Sequence, residues 1–189
     1  MTTSSMHEPL PFDETTAPSL VSTGELPKPE QVRDVVTEAY ERYRENREGV
    51  VANYIPALAS ASPALLGISV VGAQGWFFEI GDVGAAFSIQ SVSKPFVFAL
   101  VLQEIGATSA LGLVGVNGTG LPFNSVMAVE LNDERTMNPM VNAGAIATTS
   151  LVRGGSPQEK WEAVLDGLSR FAGHRLEMDE DVYAMPEPR

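Results

Sequence analysis

The sequence predicts an α+β fold, and three observations predict it. An amphipathic helical stripe runs through residues 29–46. Two short apolar runs around a glycine turn follow it, between Gly67 and Gly81. Helix signals then dominate the rest of the chain. With 189 residues, the chain is long enough for one domain with its own core, or for part of a larger one. Its 44% hydrophobic and 19% charged residues suit a folded protein rather than a wholly disordered one.

Residues 1–27 are rich in Ser, Thr, Pro and Glu and lack periodicity, so they read as a flexible N-terminal extension. From Pro29, Val32, Val35, Val36, Ala39, Tyr40 and Tyr43 recur at helical spacing beneath a charged outer face. Val51 to Pro56 is too bounded by proline to be helical. Gly67–Val71 and the alternation Trp76, Phe78, Ile80 read as a hairpin turning at Ala73–Gly75 and ending at Gly81-Asp82. A second helix is expected from Ser91 to Ile105, with Phe96, Val97, Ala99, Leu100, Leu102 and Ile105 as its wall. Pro95 fits only its first turn, and Gly106 stops it. Gly112–Gly120 lacks the Lys-Ser/Thr ending of a phosphate loop and reads as a turn-rich connection. Asn142–Val152, mixing small and apolar residues, reads as a closely packed, buried helix. The last helix carries the fullest set of signals. Ser156 caps it, Pro157 takes its first position, Glu159 completes a capping box and Gly173 ends it. Because an isolated hairpin is marginal, further strands outside this sequence are expected to complete the sheet.

Composition removes several classes of function. Twelve basic against 24 acidic residues give a formal charge of −12, without the Lys/Arg clusters on which nucleic-acid binding depends. No apolar run approaches a membrane span, and the polar start is neither a signal nor a transit peptide, so a cytoplasmic location is the expectation. With no cysteine and only two histidines, thiolate chemistry and a His-rich metal site are excluded. His7 lies in the extension, and His174 reads as a surface residue just past a helix. The chemistry left is that of Ser, Thr, Lys, Tyr and carboxylates.

Ser91-Val-Ser-Lys94 is the element that stands out. Positions i and i+3 share a helix face, so a serine at a helix start can meet a lysine one turn later. Serine becomes a useful nucleophile when a base takes its proton, and a desolvated lysine can be that base. A helix start also offers main-chain N–H groups to a developing oxyanion. The plain alternative is a solvated lysine behind a capping serine. Against it, Lys94 is the one charged residue between Asp82 and Glu104. Ser93 points to another face and is the lesser candidate.

Phe87-Ser-Ile-Gln-Ser-Val-Ser-Lys-Pro95 resembles the nucleophile motif of the serine-dependent glutaminases, relatives in fold of the serine β-lactamases and penicillin-binding proteins. Asn138-Pro-Met-Val-Asn-Ala-Gly-Ala-Ile146 is similar to that family's most distinctive segment. Tyr54–Leu58, Gly67–Val70 and Gly120–Ser125 are weaker matches in the same order, so the resemblance spans Gln31–Tyr183. It implies a β-lactamase-like serine hydrolase fold, here incomplete, with residues 28–189 as the N-terminal portion of a glutaminase domain. It also implies hydrolysis of L-glutamine to L-glutamate and ammonia, with no metal or organic cofactor and a homo-oligomeric state of dimer or tetramer type. Ser91 would be the acylated nucleophile, Lys94 its base, and Tyr54 a proton shuttle or substrate contact. Asn142 would bind glutamine and Gln90 would line the pocket. On the residues alone, Asn142 could instead cap a helix and Tyr54 could be a packed aromatic; Asn138, before Pro139, reads as a turn residue.

The sequence departs from the family at its end. After Val182-Tyr183-Ala184 the family continues with Ser-Glu, whereas Pro186 stands at the expected glutamate and Glu187 is flanked by prolines. Later substrate contacts and the closing strands of the sheet have no counterpart. The chain therefore reads as a truncated glutaminase, weak or inactive alone. The alternatives are a catalytically dead fragment that associates with intact subunits, and another β-lactamase-like acyl-serine hydrolase.

Overall fold

A computed structural model describes residues 27–72, 74–125, 127, 136 and 138–184. The expected extension before Pro27 and the ending from Met185 lie outside the described residues. The chain divides into two compact units. Among the described residues, one holds those up to Glu48 together with those of Ala64–Gly84, and the other holds Gly49–Pro63 and those from Ala85 onward.

The first unit is a helix with a hairpin. Helix α1, Pro29–Tyr43, starts on a proline, and the Gln31 side chain accepts the Lys28 backbone N–H at 2.9 Å. Its half-buried residues are Val32, Val36, Thr37, Ala39 and Tyr40, and the helix packs against strands β1 (Gly67–Val71) and β2 (Phe77–Gly81). Val35, at the edge of the expected stripe, and Tyr43, in the last turn, are exposed instead. The strands pair antiparallel, with Gly67 opposite Gly81 and Val71 opposite Phe77. Ile68, Val70, Phe78 and Ile80 share the half-buried face, as the period of two requires. Gly81 has φ +79°, and an added Cβ there would run into the Leu66 carbonyl and the Tyr40 ring, so only glycine fits. This hairpin is the whole sheet among the described residues.

The second unit is helical and is organised around its most apolar helix. A helical turn, α2 (Pro56–Ala59), begins on the proline that was expected to exclude one, because proline is tolerated at a first helical position. A 3₁₀ turn, Gln90–Val92, leads directly into α3, Ser93–Ile105. Gly106 ends α3 at φ +79°, and a short helix unmarked in the sequence reading, α4 (Ala107–Leu113), follows. Beyond it come α5 (Asn142–Ser150), α6 (Pro157–Ala172) and a final turn, α7 (Glu180–Tyr183). Helix α3 packs against α4, α5 and α6. Its Val97 and Val101 join Ala110, Val152, Val164 and Leu168 in the core. Gly167 lets α6 close onto Leu100, and the Phe96 and Phe171 rings meet at 5.1 Å.

Two expectations need correction. Helix α5 is not wholly buried: Asn142, Ile146, Thr149 and Ser150 are exposed, while Gly144 and Thr148 are buried. At the start of α6, Ser156 does accept the Glu159 N–H at 3.2 Å. The Glu159 carboxylate, however, reaches one residue further back and accepts the Gly155 N–H at 2.7 Å. Lys160 then donates to the Ser150 and Val152 carbonyls, closing the C-terminal end of α5, where a cation is electrostatically favoured.

Candidate active site

The site residues all lie in the second unit, and the strand-to-helix connection places the first of them. Gln90 has φ +39°, the one left-handed non-glycine residue among those described, and the chain swings there into the 3₁₀ turn that carries Ser91. Such a conformation persists where surrounding contacts over-determine it. Here Ser93 helps, since its hydroxyl donates to the Gln90 carbonyl at 2.6 Å. That bond occupies Ser93. Ser91 Oγ makes no hydrogen bond with any described residue and opens onto a cleft of about 760 Å³, which Gln90 and Lys94 also line.

Lys94 is half-buried. Its Nζ donates to the Met140 carbonyl at 3.0 Å and to Asn142 Oδ1 at 2.7 Å. Asn142 is the first residue of α5 rather than its cap, a position held by Val141. Its backbone N–H donates to the Phe123 carbonyl at 2.8 Å, so the loop around Phe123 also fixes the head of α5. With Oδ1 committed to Lys94, Asn142 keeps its Nδ2 donors for a ligand. Oδ1 also keeps a second lone pair, so the amide still offers the donor–acceptor pair expected from its chemistry.

Tyr54 lines a different cavity from the one that Ser91 and Lys94 line. It is 64% exposed and lines a second, smaller cavity of about 400 Å³ with Phe87, Ser88 and Asp179. Gln90 lines both cavities, so it adjoins Tyr54 on one side and Ser91 on the other. His174 is exposed just beyond Gly173, and its ring nitrogen lies 3.1 Å from the Ala172 carbonyl.

The sequence reading left out two participants. The Met140 carbonyl is a main-chain atom, and no side-chain pattern announces it. Asn138, read as a turn residue, does make that turn, with its Oδ1 accepting the Met140 N–H at 2.7 Å. The Asn-Pro dipeptide was the available signal.

Comparison with known proteins assigns the family. The glutaminase family model matches residues 49–187. The chain belongs to the glutaminase family. It is 53% identical over 163 residues to Glutaminase 2 of Yersinia pestis, covering 86% of this chain and 48% of that relative. With a glutaminase of Colwellia psychrerythraea it shares 43% identity over 157 residues, covering 83% and 50%. The solved structure of a probable glutaminase, ybaS, superposes with a TM-score of 0.71 at 34% identity, covering 77% of this chain and 47% of that one. Mglu in its glutamate form superposes at 0.70 with 31% identity, covering 81% and 35%. The fold is thus α+β, a partial form of the serine β-lactamase-like glutaminase fold. The chain spans about half the length of the curated relatives it matches.

Proposed function

We propose that this glutaminase-family chain carries the nucleophile-bearing portion, residues 28–189, of an enzyme that hydrolyses the side-chain amide of L-glutamine. The observation that carries the reading is that Ser91, whose hydroxyl has no hydrogen bond with any described residue, lines one cleft with Lys94, whose Nζ is held by Met140 O and Asn142 Oδ1. Ser91 Oγ attacks the amide carbon, and its proton passes to the Lys94 amine acting as base. A main-chain N–H beside Ser91 holds the oxyanion in this proposal; the Val92 N–H already donates to the Ile89 carbonyl and the Ser93 N–H to the preceding turn. As the tetrahedral centre collapses, the C–N bond breaks and Lys94 returns the proton to the leaving nitrogen, releasing ammonia. Water then attacks the glutamyl ester, a proton returns to Ser91 Oγ, and glutamate leaves. Asn142 Nδ2 is available for the substrate carboxylate. Gln90 lines both cavities, and Tyr54, in the neighbouring one, is assigned the role of substrate contact or proton shuttle. None of these steps requires a metal or organic cofactor. A cytoplasmic homo-oligomer, dimer or tetramer, completes the proposal; no single helix among the described residues is long and apolar enough to cross a membrane.

A second reading is favoured by the partial coverage of the relatives and by the apolar exposure beside the site, where Ile146 is 72% and Trp161 41% exposed. In it, the chain associates with glutaminase polypeptide and is active only when covered by it. One assay separates the two readings. Ammonia release from L-glutamine is measured for the chain alone and after mixing with the half of Yersinia pestis Glutaminase 2 that has no counterpart here. Release that disappears in Ser91→Ala supports the enzymatic proposal, and release only on mixing favours the second reading. Absence of release in both, or release indifferent to Ser91→Ala, removes Ser91 from the chemistry.

A further inference from the structure

We infer that Asn138 is a positioning residue that aims the Lys94 amine at Ser91 through the Met140 carbonyl; the inference rests on the Ser91–Lys94 reading above. In the base form that the reading above requires, a primary amine has two N–H bonds and one lone pair. To take a proton from Ser91, Lys94 must direct that lone pair at Oγ, and on a freely rotating amine it would point anywhere. Here two acceptors use both N–H bonds: Met140 O at 3.0 Å and Asn142 Oδ1 at 2.7 Å. The direction that remains is fixed by elimination. The orientation of the base is therefore only as good as the placement of those two oxygens.

Asn142 Oδ1 is placed by the head of α5. The Met140 carbonyl belongs to a loop, and Asn138 holds that loop in three ways. Its Oδ1 accepts the Met140 N–H at 2.7 Å, closing a turn over the buried Pro139. Its Nδ2 donates to the Asn117 carbonyl at 2.9 Å, tying the turn to the segment after α4. Its own carbonyl packs against Gly144, so closely that a Cβ there would collide with it, which sets the loop against α5. Both lysine acceptors thus have their spacing set through Asn138. Aspartate keeps the first link and loses the second, whereas alanine loses both.

The test is the kinetics of Ser91 modification by a fluorophosphonate, in which the Oγ–P bond forms, the P–F bond breaks, fluoride leaves and Lys94 takes the hydroxyl proton. Mass spectrometry of the full chain gives the rate constant at saturating probe, the half-saturation concentration and the final fraction labelled. Mislaid catalytic geometry of about 1 Å costs on the order of a hundredfold, so Asn138→Ala is expected to lower the saturating rate about tenfold to a hundredfold, with half-saturation and final fraction unchanged. Asn138→Asp is expected to recover part of that loss. A merely structural role would lower the final fraction labelled and leave the rate constant of the folded molecules alone. Wild-type rate in Asn138→Ala overturns the inference while leaving the Ser91–Lys94 reading intact. A wild-type chain labelled no more than Ser91→Ala overturns that reading, and the inference with it. A crystal structure of Asn138→Ala with the Lys94–Met140 contact unchanged would also contradict it.

Discussion

Gly144→Ala adds one methyl group where α5 meets the Asn138 turn. The new Cβ would overlap the Asn138 carbonyl oxygen and lie 2.6 Å from the carbonyl carbon, against main chain that cannot rotate away. Lengthening that 2.6 Å approach to the 3.4 Å of ordinary contact requires helix and turn to separate by at least about 0.8 Å, and the nearer oxygen demands more. A movement of that size along the Lys94–Asn142 direction would stretch their 2.7 Å hydrogen bond to about 3.5 Å, outside the productive range. Overpacking of this kind costs about 1–3 kcal/mol. Urea unfolding can read it cleanly, because the chain has two tryptophans and they fall in different units. In a Trp76→Phe background, Trp161 alone reports the second unit. The expected result is a lower midpoint with an unchanged slope, together with slower fluorophosphonate labelling of Ser91. An unchanged midpoint and labelling rate would refute the claim that glycine at 144 is required by this contact.

Three further outcomes are expected. Val101 is fully buried at the centre of α3, so Val101→Ala should cost about 2–3 kcal/mol through lost burial and a residual cavity, measured by the same unfolding titration. Ser156→Ala removes the side-chain acceptor at the start of α6 and should cost about 1 kcal/mol; a loss below a few tenths would show that the Glu159–Gly155 bond alone suffices. Lys160→Met leaves the Ser150 and Val152 carbonyls without their shared donor and should lower stability by about 1–2 kcal/mol, with the difference persisting in high salt if hydrogen bonding rather than long-range charge is responsible.

Most of the architecture was legible wherever local signals agree. Ser156, Pro157 and Gly173 bound α6, and the alternation of Phe78 and Ile80 around a glycine-marked turn gives the hairpin. Legibility failed where the decisive interaction is made between segments. The turn α2 is set by Pro56 in a short segment with no periodicity, and α4 follows Gly106 at once, so one stop signal hid the next start. The exposure of α5 could not be read from its small residues, which suit a packed helix and an open one equally. At the site, the Ser91–Lys94 spacing and the family-like Asn138–Ile146 block identified side chains. The Met140 carbonyl, the commitment of Asn142 Oδ1 to Lys94 and the left-handed Gln90 are consequences of loop geometry that residue identity does not encode. Tyr54 shares a cavity with Gln90, while Ser91 opens onto the neighbouring one.

The most direct measurement uses the γ-p-nitrophenyl ester of L-glutamate, which transfers to a serine the same glutamyl group that the amide would, with release of nitrophenol. After acid quenching, peptide mapping by mass spectrometry locates any glutamyl group held on the protein. The account predicts that it sits on Ser91, is absent from Ser91→Ala and is strongly reduced in Lys94→Met. A glutamyl group on another residue, or equal acylation of Ser91 in Lys94→Met, would contradict it.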